Sequence, residues 1–203
     1  PTDSLIAGLI RDVRERHAKE PDWHRCLEWL NANYGYDRFR GACHIMPNHG
    51  AIIMSLLYGD DNFQKSLMIA ITSGLDTDCN AGNVGCFLGI KNGLAGIEED
   101  ADWRGPVSDR IYLGGGDCGR AITDAVSESY EIANMYRRMN GMEVLNPKNG
   151  ARFHFEMPGS VQGFRVEASE TPLKLKNVPG HSLHGERALA LQCNGLRAGR
   201  FAR

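Results

Sequence analysis

The chain has 203 residues, with Lys+Arg 23 against Asp+Glu 25 and a formal net charge of -2, a balance that excludes the basic footprint of a nucleic-acid binder. Hydrophobic residues at 42% and charged residues at 24% match ordinary globular domains, so a disordered or low-complexity chain is excluded as well. Glycine is the outlier, at 24 of 203 residues, against a background of about 7%.

In chain order, Leu5, Ile6, Leu9, Ile10 and Val13 recur at helical spacing and predict an amphipathic helix over 4–18, capped near Asp3 or Ser4. A second helix starts after Pro21, runs through Trp23, Cys26, Leu27 and Leu30, and ends before the turn residues Asn33 to Gly35. After a loop closing on Pro47 and Asn48, the apolar run 51–58 predicts a buried helix stopped by Gly59. Residues 60–62 then cap a helix from Phe63 to about 73. No strand is predicted up to this point.

The segment 79–97 carries Gly82, Gly85, Gly89, Gly93 and Gly96 at steps of 3, 4, 4 and 3, so on a helix all five share one face. Each costs a helix roughly 1 kcal/mol relative to Ala. Two compensations are open: tight helix-to-helix packing, or close approach of a ligand or metal near the helix start. Beyond Asp100 comes a loop with Trp103, Pro106 and Gly114 to Gly116, which lacks the frame of a phosphate-binding loop. A last helix is predicted over 118–138, stopped by Asn140 and Gly141.

Downstream of 146–150 the pattern turns to period two. Residues 152–156, 164–167, 173–176 and 187–191 predict about four short strands in a small all-β region, 151–203, read as the front of a larger β-sandwich. The expected division is therefore a helical domain over 1–145 and a β region over 151–203.

Cys26, Cys43, Cys79, Cys86, Cys118 and Cys193 form neither a CxxC zinc pattern nor a dense disulfide framework, which favours a reduced, cytoplasmic setting. No apolar run reaches the roughly eighteen residues of a membrane span. The sequence opens at Pro1 rather than Met, so secretion stays open.

Chemistry concentrates in Ser73-Gly74-Leu75-Asp76-Thr77-Asp78-Cys79-Asn80, between two apolar helices. Asp76 and Asp78 share a side in an extended connector but diverge on a helix. Two converging carboxylates beside a hydroxyl are hard oxygen ligands, suited to Mg²⁺, Mn²⁺ or Ca²⁺ rather than zinc. The bland alternative makes Asp78 a helix cap and Asp76 a loop residue. His44 and Asn48 lie just ahead of a buried helix, where a turn or cap role competes with ligand contact. Asn80 and Asn83 are suited to donating to a diphosphate or ribose, with capping and packing as the alternative. His17, His24, His154, His181 and His184 have no partner at ligand spacing and read as surface or turn residues.

The run Gly74-Leu75-Asp76-Thr77-Asp78-Cys79-Asn80-Ala81-Gly82-Asn83-Val84-Gly85, followed by Leu88-Gly89, Gly93 and Trp103, resembles the C-terminal signature of the ADP-ribosylglycohydrolase family, bacterial members included. The stretches His44 to Asn48, Leu56 to Gly59 and Phe63 resemble the helix pair that precedes it. The resemblance covers about 1–105, and more loosely extends to 140. It implies a mainly α fold, an orthogonal helical bundle, and a hydrolase that cleaves ADP-ribose from its acceptor through a dinuclear magnesium centre, with manganese as the substitute ion.

Carried over residue by residue, the metals fall to Asp76 and Asp78, with Asp78 in the bridging position, and to Thr77 and Cys79 beside them. Gly74, His44, Asn48, Asn80 and Asn83 are the expected substrate contacts, and an ADP-ribosylated molecule is the expected partner. Cys79 stands where the family has a Thr, and a thiol is a poorer magnesium ligand than a hydroxyl. The family's Thr-Asp-Asp run has no counterpart in the sequence. Asp60-Asp61, the one adjacent Asp pair, reads as a helix cap, and Glu98 to Asp100 as a solvated loop. The chain is therefore expected to be the second half of a catalytic domain, inactive alone. The competing reading is a non-catalytic binding protein whose 184–191 stretch bears a loose likeness to a carbohydrate-binding β module.

Overall fold

The computed structural model describes residues 3–112, 114 and 122–203. Backbone packing divides the chain into two compact units, the first ending at Asp102 and the second beginning at Trp103.

The first unit is helical throughout: α1 (Leu5–Lys19), α2 (Trp23–Tyr34), α3 (Ile45–Tyr58), α4 (Phe63–Thr72) and α5 (Thr77–Ile97). Local chemistry sets the boundaries. Ser4 Oγ accepts from the Ala7 N–H at 3.2 Å, Asp22 from His24 at 2.9 Å, and Asn62 from Lys65 at 2.7 Å, each satisfying an otherwise orphaned donor. The third helix starts earlier than its apolar run predicts. His44 is its N-cap, with Nδ1 accepting from the Met46 N–H at 3.2 Å, and Pro47 falls in the first turn, where a missing N–H costs nothing.

Helix α3 is the hub, packing against α1, α2, α4 and α5. Leu9, Val13, Cys26, Leu30, Ala51, Met54 and Ile69 are all wholly buried in one cluster, and Val84 and Leu88 of α5 join Phe63, Leu67 and Ala70 of α4 in another. Burying each large apolar side chain stabilises the fold by about 1.5–3 kcal/mol. Gly50 is what lets α3 sit so close to its neighbours: a Cβ there would stand 2.6 Å from Leu30 Cδ1 and 3.3 Å from Leu9 Cδ1.

The glycine face of α5 resolves differently from the packing expectation. A Cβ at Gly85 would meet Leu67 Cδ2 at 3.6 Å, and one at Gly89 would meet Ile97 Cδ1 at 3.4 Å, both tolerable or nearly so; at Gly82 it would meet nothing within 4 Å. Gly93 lies outside the helical region altogether, with φ 66 and ψ -169, and kinks the helix. The five glycines therefore do not share a single continuous face, and tight packing does not account for the first of them.

The second unit opens with a 3₁₀ turn (Gly105–Val107). An antiparallel pair follows, β1 (Arg110–Tyr112) and β2 (Ile122–Asp124), then α6 (Ala125–Met139) and a hairpin of β3 (Leu173–Pro179) and β4 (Arg187–Cys193) paired from Leu173↔Cys193 to Pro179↔Arg187. The last helix starts at Ala125 rather than 118, because Ile122 to Asp124 are in β2 and Asp124 caps the helix by accepting from the Ser127 N–H at 2.9 Å. Of the predicted start, 118–121 lies outside the described residues, as do Cys118 and two of the three clustered glycines, Gly115 and Gly116. Helix α6 falls in this unit, so the structural division at 102 precedes the expected one at 145.

Two of the four expected strands, 152–156 and 164–167, are not strands. The N–H groups of His154 and Phe155 go to Gln162 Oε1 at 2.9 and 2.7 Å instead of to a neighbouring chain, and Phe155 and Gln162 have φ of 58 and 45. Polar groups hold this unit together. Asp109 is buried between Arg104, which donates at 2.8 and 3.0 Å, and Ser160 at 2.6 Å, while Asn177 donates to the carbonyls of Phe155 and Ser160. His154, expected at the surface, is 4% exposed. No helix among the described residues is long and apolar enough to cross a membrane.

Candidate metal centre

The loop between α4 and α5 is anchored on both sides of its turn. Ser73 Oγ donates to the Ile69 carbonyl at 2.6 Å, Leu75 packs against the main apolar cluster, and Gly74 between them takes φ 71, a conformation that suits a residue without Cβ. Asp76 is thereby held at the N-cap of α5, yet its side chain makes no capping bond. Asp78 is the second residue of the helix, so the cap reading of Asp78 is excluded.

One ligand atom each from Asp76, Asp78 and Cys79 all lie within 4.8 Å of one another, with Asp76 half-buried and the other two exposed. Both carboxylates sit at the N-terminal, positive end of α5. Hydrogen bonds from its own N–H and from the Cys79 N–H, with the Asp76 carboxyl group alongside, hold Asp78 below the usual carboxylate range. The Asp76 carboxylate lies against two thiols, Cys79 and Cys43, and hydrogen bonding to it raises both. Cys43 stands in the turn before α3, with φ 58.

Asn48, in the first turn of α3, fixes the Asp76 backbone from outside the motif. Its Oδ1 accepts from the Asp76 N–H and from Asn80 Nδ2, both at 3.1 Å, while its Nδ2 donates to Tyr36 Oη at 2.9 Å and to the His44 carbonyl at 3.0 Å. With Asn48 at 5% and Asn80 at 1% exposure, these two amides face one another and their scaffold rather than solvent. Asn83 is exposed and donates to the Cys79 carbonyl at 2.8 Å; Thr77 is half-buried at the first turn of α5. His44 lies against Phe39 and caps α3. The motif itself, Gly74 to Asn80, is legible in the sequence. Cys43 and Tyr36 are not, since no spacing ties them to residues more than thirty positions away.

Asp60 and Asp61 stand apart from this cluster. Both have positive φ, Asp60 pairs with Lys65 and Asp61 with Lys91, and the cap of α4 is Asn62 rather than either acid. Asp100 accepts from Asn62 Nδ2.

Fold and site together define a mainly α protein with a small antiparallel β region and a candidate acidic cation site at the start of its glycine-rich helix. The family model of ADP-ribosylglycohydrolase matches residues 2–138, and the chain belongs to that family. No curated protein and no solved structure matches. The family is one of hydrolases and is generally metal-dependent, in keeping with the acidic group at Asp76 and Asp78.

The donor chemistry can be set against that expectation. Two carboxylates at the mouth of a helix suit a hard divalent ion. The thiol that completes the group does not. The fit to magnesium is thus carried by Asp76 and Asp78 and weakened by Cys79.

Proposed function

We propose that the protein hydrolyses the bond between ADP-ribose and its acceptor, with Asp76 and Asp78 holding magnesium, or manganese, as part of a dinuclear centre. The observation that carries this reading is the pair of carboxylates brought within 4.8 Å at the start of α5, inside the segment that matches the family. When bound, the ions supply Lewis-acid activation of the ribosyl carbon and of the attacking water.

The residues of the chain do the positioning. Asn48 pins the Asp76 N–H, and through Asn80 it pins the first turn of α5, so that both carboxylates are presented from a rigid backbone. Gly82, with nothing within 4 Å of where its Cβ would stand, leaves open the helix surface one turn beyond the carboxylates, where an ADP-ribosylated substrate would lie. Asn83 and the loop around Gly74 and His44 would form the near wall.

The test is release of ADP-ribose from an ADP-ribosylated protein by the full-length gene product, wild type and Asp78→Ala, with and without magnesium. Loss of a direct ligand should cost at least the roughly 10- to 100-fold typical of supporting residues of metal sites. Magnesium-dependent release that survives in Asp78→Ala would refute the assignment.

A further inference from the structure

We propose that the cation site at Asp76 and Asp78 is thiol-bearing, with Cys79 as a direct ligand, so that it takes zinc-class divalent ions in preference to magnesium. This rests on the metal-site reading above for the ligands Asp76 and Asp78 and departs from it only in the ion that the site prefers.

Cys79 Sγ belongs to the same group as the carboxylate oxygens of Asp76 and Asp78, with all three ligand atoms mutually within 4.8 Å, and its side chain is exposed. A single ion bound between the carboxylates therefore has sulfur within reach. Cys43, also exposed and free, lies against Asp76 from the turn before α3 and offers a second sulfur beside the cluster. Carboxylates serve magnesium, manganese and zinc alike; thiolates select the softer ions. Binding exchanges the S–H proton for the metal and releases that proton to solvent. Magnesium gains nothing from the exchange, because it holds oxygen ligands and its own waters.

Any carboxylate site favours zinc over magnesium to some degree, so the preference alone decides nothing. The decisive quantities are the share of it due to sulfur and the direct sign of a metal–sulfur bond. The full chain is titrated with Zn²⁺ and Mg²⁺ by calorimetry, and loaded with Co²⁺ as a spectroscopic substitute for zinc, in wild type, Cys79→Thr, Cys43→Ser and Asp78→Ala.

Wild type is expected to show near-ultraviolet sulfur-to-cobalt charge-transfer absorption that Cys79→Thr loses. The ratio of zinc to magnesium affinity should fall about 10-fold or more in that variant. Partial loss of the band in Cys43→Ser supports a second sulfur ligand, and an unchanged band there leaves Cys79 as the thiol ligand. Magnesium binding that depends on Asp78, with no cobalt–sulfur band in wild type or an unchanged ratio in Cys79→Thr, overturns the thiol inference and leaves the metal-site reading intact. Absence of any Asp78-dependent binding, for all three ions, overturns both.

Discussion

The amide of Asn48 has two donors and two acceptor positions, and all of them have partners: Asp76 and Asn80 on the oxygen, Tyr36 and the His44 carbonyl on the nitrogen. Truncation leaves the buried Asn80 amide and the Asp76 N–H without an acceptor, at a cost of about 1–3 kcal/mol. Asn48→Ala should therefore unfold at lower urea and bind divalent ions more weakly, because the Asp76 backbone is no longer fixed; unchanged metal affinity at the lowered stability would limit Asn48 to structure. A second buried polar residue sets a pH dependence. Burial holds the His154 imidazole below its ordinary range, against the opposing pull of Glu156 and Asp124. The unfolded chain thus binds the proton more tightly than the folded one. His154 contributes stability that is fully present above the unfolded value, about 6.5, and is lost as pH falls through the folded value. Melting followed from about pH 8 down to pH 5 should show a decline that His154→Gln flattens.

At the scale of elements, α5 carries a cost that the fold leaves uncompensated at Gly82. Nothing lies within 4 Å of the missing Cβ, and the position is exposed, so the added methyl meets no clash. Gly82→Ala should raise stability by about 1 kcal/mol, read as a shift in the urea midpoint. If the same variant loses affinity for ADP-ribose, the glycine is kept for ligand approach; a stability loss would show a contact that the fold does not contain. The helices were readable in the sequence because α1, α2 and α4 repeat their apolar residues at 3.6 and carry Ser4, Asp22 and Asn62 at their starts. The stretches 152–156 and 164–167 alternate without being strands, because alternation marks a strand only if a partner strand accepts its ladder. Here the Gln162 side chain takes the N–H groups of 154 and 155, an interaction with no periodic signature. Likewise Asp76, Thr77, Asp78 and Cys79 announce themselves as one local run, whereas Asn48 and Cys43 reach the site only through the packing of α3.

Over the whole molecule the two units are stabilised by different chemistry. The unit ending at Asp102 has two apolar clusters organised by α3, while in the unit beginning at Trp103 the buried residues are mostly polar, among them Asp109, Asp124, His154, Gln162 and Asn177. The family match spans all of the first unit's helices and all but the last residue of α6 in the second. The candidate cation site lies wholly within the first, where Asp76 and Asp78 are proposed as ligands and the adjacent acids Asp60 and Asp61 are not. Calorimetric titration of magnesium into the full chain, Asp78→Ala and Asp61→Ala tests this most directly, because Asp61 is already engaged by Lys91. A saturable, modest-affinity heat is expected in wild type and in Asp61→Ala and should disappear in Asp78→Ala. Equal heats in wild type and Asp78→Ala, or loss in Asp61→Ala instead, would contradict that assignment.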